Sequence, residues 1–348
     1  PKNGVFHPKI FLFLSKNRKN TSLLIGSANL TMTGFTKNAE MVTKFIFNDN
    51  AQNNNFVTIR DFFESLINDG YLLETQVIRI LKNAFSYLPN KLNDGENSSC
   101  IVIHNMKTAI IPEVIEKIKN EKFSSVTLVA PFFSNDSGLI ERINSKLHIG
   151  KNRIALQKNH HNLTNAQSYI DYFSRKKIVF EFNEVEFAKD ESRIIHSKIL
   201  HFEGPKEFLL MGSPNMTRNA LLMNASQGNI ECSVFFMEIQ AGTLIRGIDL
   251  IATANFEDLI NSGREIETND DEICILKIFS ADFDDFSRRL VVITEPLTQH
   301  ADVHVQMEDG DLSINNDFSL ATGKIIIEKI PKGNPLEVII SCDGKNGR

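Results

Sequence analysis

His7-Pro8-Lys9 opens a stretch that runs through apolar residues to Leu23-Leu24-Ile25-Gly26-Ser27-Ala28-Asn29-Leu30-Thr31 and then Asn38-Ala39-Glu40. His196-Ser197-Lys198 opens a second stretch, which runs to Leu209-Leu210-Met211-Gly212-Ser213-Pro214-Asn215-Met216-Thr217 and then Asn229-Ile230-Glu231. Both copies read H-x-K, apolar run, polar turn, second apolar run, G-S-x-N-x-T and N-x-E. The first His and the last Glu are 33 residues apart in one copy and 35 in the other. Residues two apart on a strand share a face, so the spacing predicts that His7 projects with Lys9 and His196 with Lys198. A hairpin return sets each Gly-Ser-x-Asn turn beside them. Each copy thus offers an imidazole, an ammonium, a hydroxyl and an amide. Two copies facing each other would enclose a phosphate-sized pocket with two histidines and two lysines. Helices opening after Asn29 and Asn215 would add amide N–H groups for an anion.

The elements that must position these residues fall into three segments. Residues 1–90 read as a strand-turn-strand pattern, Val5 to Leu14 and Leu23 to Gly26, followed by helical periodicity from Val57 to Phe85. A polar linker, Asn90 to Ser99, leads to residues 100–260. There the strand-like runs at Ile101–Ile103, Val126–Ala130, Arg153–Leu156 and Ile178–Phe182 alternate with helical patterns at Pro112–Lys119, Leu139–Leu147 and Asn165–Phe173. That alternation predicts a mixed or parallel sheet covered by helices, closed by a hairpin from Ile194 to Met211. Residues 271–348 carry short strand-like runs, beginning at Cys274–Phe279, separated by turn signals. They predict a small all-β module of sandwich type. The fold class expected is α/β, with two pseudo-symmetric halves and a C-terminal β-rich module. About 95 residues precede the second His within its half but only six precede His7, so the first half is expected to lack N-terminal strands, which would lie upstream of Pro1.

Composition narrows the function classes. The 348 residues are 42% hydrophobic and 23% charged, which excludes a wholly disordered or fibrous chain. Net charge is −5, against a protein that coats nucleic acid with general basicity. Cys100, Cys232, Cys274 and Cys342 show no C-x-x-C spacing and no disulfide framework, and a reducing cytoplasmic setting is the simplest reading. No apolar run is long enough to predict a spanning helix.

The repeated pattern resembles the phospholipase D superfamily, whose active site joins two H-x-K motifs across a pseudo-twofold axis. The resemblance covers the first two segments, about 250 residues. It implies metal-independent phosphodiester cleavage with no cofactor. One histidine attacks phosphorus and the other protonates the leaving oxygen. Lys9, Lys198, Asn29 and Asn215 would neutralise the phosphoryl oxygens, with Ser27 and Ser213 supporting the same oxygens. Glu40 and Glu231 match the family's carboxylate that bonds a motif histidine and fixes its tautomer. The family's usual Asp, five residues after the Lys, is replaced by Leu14 and Glu203. Some members that act on nucleic acids also lack it, so its loss favours a nuclease over a lipase.

DNA is expected as the substrate ahead of RNA. A nuclease of this family with such an appended β module resembles the effector subunits of bacterial restriction and antiphage systems, which implies a helicase or NTPase as partner. A homo-oligomer is compatible with the pattern, although two motifs in one chain already complete a site. Two other readings stand beside the nuclease: a lipid hydrolase or transferase, and a non-catalytic scaffold that binds nucleic acid. The basic clusters Lys16–Lys19, Lys151/Arg153, Arg175-Lys176-Lys177 and Arg288-Arg289 could track a phosphate backbone, or be plain solvated loops. His160-His161 reads as a surface loop rather than a metal pair, because adjacent side chains point apart. Thr31 and Thr217 read as caps for the helix or turn after each motif.

Overall fold

The computed structural model describes residues 4–15, 21–47, 53–92, 98–187, 193–239, 248–263 and 278–347, apart from residues 32–33, 35, 73, 253–255, 285–286, 295–299, 308–309, 320–321, 332–334 and 343–344. The chain divides into two compact units, Pro1–Ile266 and Glu267–Arg348.

In the first unit, β1 (Ile10–Phe13), β2 (Ser22–Gly26), β3 (Asn38–Ala39) and β4 (Val42–Ile46) come first, and three of them form an antiparallel sheet in the order β1-β2-β4. The helical periodicity after β4 is split into α1 (Asn53–Asn68) and α2 (Thr75–Phe85). The break is local: Gly70 takes a positive φ of 74°, and the Tyr71 and Leu72 amides both return to the Leu66 carbonyl. Glu74 then caps α2 by accepting from the Gln76 amide at 2.9 Å.

The second half builds the alternating pattern that its sequence predicts. β5 (Cys100–His104), α3 (Ile110–Ile118), β6 (Lys122–Val129), α4 (Gly138–Asn144), β7 (His148–Leu156), α5 (Gln167–Lys176) and β8 (Val179–Phe187) succeed one another. They lead to β9 (Ile194–Ile195), the hairpin of β10 (Ile199–Glu203) and β11 (Glu207–Gly212), α6 (Arg218–Leu221), β12 (Cys232–Ile239), β13 (Ile248–Ala252) and α7 (Phe256–Asn261). Eight strands form one mixed sheet in the order β13-β8-β7-β6-β10-β11-β12-β5, with β6, β7 and β8 parallel.

Both faces of this sheet are buried, as its near-continuous apolar strands require. Ile103, Leu128, Ile154, Leu200, Leu210 and Phe235 meet the helices on one face, where Val114, Ile140, Phe173, Leu221 and Leu259 are buried. Val102, Val129, Ile199, Leu209, Met211 and Val234 meet Leu23, Ile25 and Phe45 of the small sheet, and Phe56 and Ile59 of α1, on the other. Full burial of one such side chain contributes roughly 1.5–3 kcal/mol. These two faces hold the halves in register, and the polar site rides on them.

The halves are pseudo-equivalent but unequal. In the hairpin of the second half, β10 has β6 on its outer side, paired antiparallel from Ile199↔Val129 to Glu203↔Ser125. Its counterpart β1 is an edge strand among the described residues. Among the described residues the sheet of the first half therefore has three strands and that of the second eight.

Among the described residues the second unit is all β. β14 (Ile278–Asp284), β15 (Arg289–Thr294), β16 (His300–Met307), β17 (Gly310–Ser319), β18 (Lys324–Ile327), β19 (Pro335–Cys342) and β20 (Lys345–Gly347) form two antiparallel sheets, β14-β15-β18 and β17-β16-β19-β20. Leu290, Val292, Ile325 and Ile327 of one sheet pack on Val303, Val305 and Ile340 of the other. The alternating burial along β15 and β18 is the period-2 signature of a sheet with one wet face. Of the run Cys274–Phe279, residues 274–277 lie outside the described residues.

Candidate active site

The two H-x-K segments are not on strands. His7-Pro8-Lys9 precedes β1, and His196-Ser197-Lys198 lies between β9 and β10. The single long strands expected from Val5 and from Ile194 are broken there, because these backbones bond to the other half instead of to their own sheet. The His7 amide donates to the Ile230 carbonyl at 3.0 Å, and Phe6 makes an isolated parallel bridge to Ile230. The His196 and Ser197 amides both donate to the Ala39 carbonyl, at 3.1 and 3.0 Å, where β3 runs parallel to β9. Each H-x-K segment thus lies along the N-x-E segment of the opposite half.

The side chains repeat the crossing. His196 Nδ1 lies 2.7 Å from Glu40 Oε1. His7 Nδ1 lies 3.1 Å from both oxygens of Glu231. Glu40 is almost wholly buried, Glu231 wholly so, while the two imidazoles keep 20–23% of their side-chain surface in contact with solvent. A buried carboxylate is acceptor-only when ionised, so each Nδ1 presents a proton to it and each Nε2 is the ring nitrogen left for chemistry. Desolvation pushes the Glu40 carboxyl up, but hydrogen bonds from His196, Ser27 and Asn38 outweigh it and hold the group below the usual range. Burial likewise holds the His196 imidazole down, against the pull of Glu40.

Ser27 and Ser213 have a different task from the phosphate contact expected of them. Both are fully buried, and their hydroxyls donate to Glu40 Oε2 and Glu231 Oε2. They accept in turn from the Met41 amide at 3.0 Å and the Cys232 amide at 3.1 Å. The single hydroxyl proton is spent on the carboxylate, so these serines support the histidines' partners. The preceding glycines explain the Gly-Ser pairing. A Cβ on Gly26 would meet the Met41 carbonyl oxygen at 2.2 Å, and one on Gly212 would meet the Cys232 carbonyl oxygen at 2.6 Å. Only glycine lets the neighbouring strand approach closely enough for the serine to reach the glutamate.

Lys9 and Lys198 are buried, with 7% and 2% of their surface exposed. Each ammonium donates to the carbonyl of its own histidine, at 2.7 Å for Lys9 and 2.5 Å for Lys198. Burial lowers Lys9 to about 8 and Lys198 to about 7, while Glu40 and Glu231 pull both upward. Lys9 also acts on Lys198 and on His196. These shared influences place both lysines, both glutamates and His196 in one electrostatic cluster.

The two asparagines of the G-S-x-N turns are less tightly held. Asn29 is exposed, and its carbonyl accepts from the Thr31 amide at 2.8 Å. Asn215 is half-buried, its carbonyl accepts from the Thr217 amide at 2.8 Å, and its Oδ1 is buried without a partner. Two of the helix amides after Asn215 are taken up locally: the Ala220 amide donates to Thr217 Oγ1 and the Arg218 amide to Ser134 Oγ. Thr31 likewise accepts from the Gly34 amide at 3.1 Å, the capping geometry expected of it.

Several other expectations are corrected. His161 is fully buried rather than on a surface loop, because its Nε2 is satisfied by the Leu259 carbonyl at 3.0 Å beneath α7. Lys151 is tied to Glu181 at 2.6 Å and Arg153 to Glu203 at 2.5 Å, so neither is a free cation for a phosphate backbone. Arg288 lies over the Phe283 ring and donates to the Ile330 carbonyl. Lys16–Lys19 lies outside the described residues, while Arg175, Lys176 and Lys177 are exposed at the end of α5. Among the described residues, no group of three or more His, Cys, Asp or Glu is arranged to hold a metal ion.

Sequence reasoning passed over two residues. Asn105, buried after β5, accepts from the Glu231 amide at 2.8 Å and donates to the Asn229 carbonyl at 2.6 Å. Gln157 accepts from the Ile195 amide at 2.7 Å and donates to the Arg193 carbonyl at 2.8 Å, fixing the approach to His196. Neither belongs to the repeat, and no spacing signal marks them.

Neither a protein-family model nor a curated protein matches this chain. Among solved structures it is similar to the yeast tyrosyl-DNA phosphodiesterase, at 11% identity and a TM-score of 0.48 over 70% of this chain and 69% of that one. It is also similar to the polyphosphate kinase from Porphyromonas gingivalis (17% identity, TM-score 0.32, 70% of this chain and 32% of that one). A third is NucT from Helicobacter pylori (18% identity, TM-score 0.28, 40% of this chain and 84% of that one). Likeness at this level leaves the chemistry to be read from the residues. Two H-x-K segments, each answered by the other half's N-x-E glutamate and followed by its own G-S-x-N-x-T turn, are the pattern in which this chain resembles the phospholipase D superfamily.

Proposed function

We propose that this chain is a metal-independent phosphodiesterase, a nuclease that cleaves DNA through a phosphohistidine. The observation that carries the reading is the crossed pairing of His7 with Glu231 and His196 with Glu40. It ties up both Nδ1 atoms and leaves both Nε2 atoms for the chemistry, beside two buried lysines. One Nε2 attacks phosphorus as the bond to the leaving oxygen breaks, and the other histidine, protonated, gives that oxygen its proton. The second histidine, now neutral, takes a proton from water. The water oxygen attacks phosphorus, the P–N bond breaks, and the first histidine is restored. Lys9, Lys198, Asn29 and Asn215 neutralise the charge that builds on the non-bridging oxygens. Nucleophile and acid are both side chains, so no step calls for a metal ion.

Nucleic acid is the substrate class that fits the exposed Arg175, Lys176 and Lys177 and the absence, among the described residues, of a helix long and apolar enough to cross a membrane. On the same reading the chain acts as the effector of a bacterial restriction or antiphage system beside a helicase or NTPase, a step that rests on analogy of architecture.

The test is cleavage of labelled single- and double-stranded DNA and RNA in EDTA, for the full chain and for His7→Ala and His196→Ala. Expected are turnover of DNA by the full chain, loss of it in both variants, and an alkali-stable, acid-labile phosphoenzyme on rapid quenching. Turnover that survives either substitution, or that requires a divalent ion, overturns the mechanism.

A further inference from the structure

Asn38 and Asn229 lead the two N-x-E sequences. Asn38 Nδ2 donates to Glu40 Oε1 at 3.3 Å, and Asn229 Nδ2 donates to Glu231 Oε1 at 3.2 Å. In each half the same oxygen also meets the opposite histidine's Nδ1. The other oxygen of each carboxylate takes the serine hydroxyl.

We propose that Asn38 and Asn229 are positioning residues that fix the proton of His196 and His7 on Nδ1, and so keep Nε2 ready for phosphorus or for the leaving oxygen. The inference rests on the phosphodiesterase reading for its kinetic consequence but not for its structural content.

The balance of donors and acceptors sets the tautomer. An amide nitrogen only donates, so its contact with Oε1 stabilises the ionised carboxylate over the acid. Beside an ionised Oε1 the histidine nitrogen sharing that oxygen donates as well. Without the amide, the carboxylate loses one of the donors that favour its ionised form and takes up a proton more readily. A protonated carboxyl donates to an unprotonated Nδ1, which moves the ring proton to Nε2 and blocks the reactive lone pair. The contact recurs in both halves although the surroundings differ. Asn229 also accepts from the Val5 amide at 3.2 Å through Oδ1, two residues before His7. One amide thus spans the His7 segment and the carboxylate that serves it. The Asn38 side chain acts on Glu40 within its own N-x-E sequence, which makes it the cleaner residue to change.

The experiment compares the full chain with Asn38→Leu, which removes the donor at similar size, and with Asn38→Ser, which keeps a shorter one. Steady-state kinetics on labelled DNA give kcat and KM. Ring nitrogen-15 shifts of histidine-labelled protein give the tautomer of His196, assigned by the signal lost in His196→Gln. Expected for Asn38→Leu are a fall in kcat of about tenfold or more at nearly unchanged KM, and a His196 pattern shifted away from Nδ1–H. Asn38→Ser should recover part of both. A wild-type His196 pattern in Asn38→Leu overturns the proposal, whether kcat falls or not, and so does an unchanged kcat. Should the full chain cleave nothing, the phosphodiesterase reading falls by itself and the nitrogen-15 pattern still decides the positioning role.

Discussion

Glu40, in the first half of the repeat, holds Nδ1 of His196, in the second half, at 2.7 Å across 156 residues of sequence. The reciprocal pair, His7 with Glu231, spans 224 residues. Neither half carries the carboxylate that orients its own histidine.

Glu40→Gln and Glu231→Gln should each lower kcat by on the order of 10²–10⁴ while leaving the fold intact. A glutamine can donate to Nδ1 as readily as accept from it, and a reversed tautomer in an analogous His-carboxylate pair costs up to about 10⁴. Because the two histidines act in one cycle, the double variant should lose little more than the worse single one. Single-turnover rates for the three variants check this, and additive losses would show that the two pairs act independently.

Activity should fall on the alkaline side as the lysines lose their protons. Lys198 titrates at about 7 and Lys9 at about 8, so kcat/KM should decline between those values if both ammoniums serve the transition state. Arginine stays protonated throughout this range. Lys9→Arg should therefore weaken turnover but flatten the decline, as a pH profile from 6 to about 9.5 would reveal.

The same burial makes a statement about stability. Burial lowers the folded-state value of Lys198 from 10.5 to about 7, so between these values the unfolded chain binds more protons than the folded one. Stability then rises with pH across that window, and the full cost of the buried charge is felt below about 7. Lys198→Met should raise stability at pH 6 by on the order of 1 kcal/mol, with the gain shrinking by pH 9, while abolishing turnover. Urea melts at the two pH values decide it. A variant equally destabilised at both would mean that the lysine's hydrogen bond to the His196 carbonyl outweighs its desolvation.

Prolonged chelation should leave the cleavage rate unchanged within about twofold, since the attack, the protonation and the charge neutralisation are all assigned to side chains. Rates with EDTA, and after adding back Mg²⁺, Mn²⁺ or Zn²⁺ one at a time, test this. A rate restored only by one metal would place that ion in the chemical step.

The repeat was legible because it pairs residue types whose chemistry is scarce, at matched spacing, twice over. The alternating elements between Cys100 and Phe187 were legible because their apolar runs are long and each face is buried. What the sequence does not display is direction across the halves. Nothing in His7 or Glu231 alone says that they meet, since that depends on the parallel contact of Phe6 with Ile230. The task of Ser27 and Ser213 was hidden for a related reason. A serine beside a predicted phosphate site reads as a ligand until the backbone approach permitted by Gly26 and Gly212 turns it toward the glutamate. Lys151 and Arg153 look like a basic patch in one dimension because their acidic partners, Glu181 and Glu203, come from other strands.

The crossed pairs also set a timetable for synthesis. His7 cannot meet Glu231 until the ribosome has added the 224 residues that separate them, roughly 10–45 s at translation rates of about 5–20 residues per second. Throughout that interval His7 waits without its carboxylate, while the second half, rich in local βα contacts, can condense around its own core as it emerges. The reactive constellation is therefore among the last features of this unit to form, and a slowed or truncated translation product would carry both histidines' surroundings only in pieces.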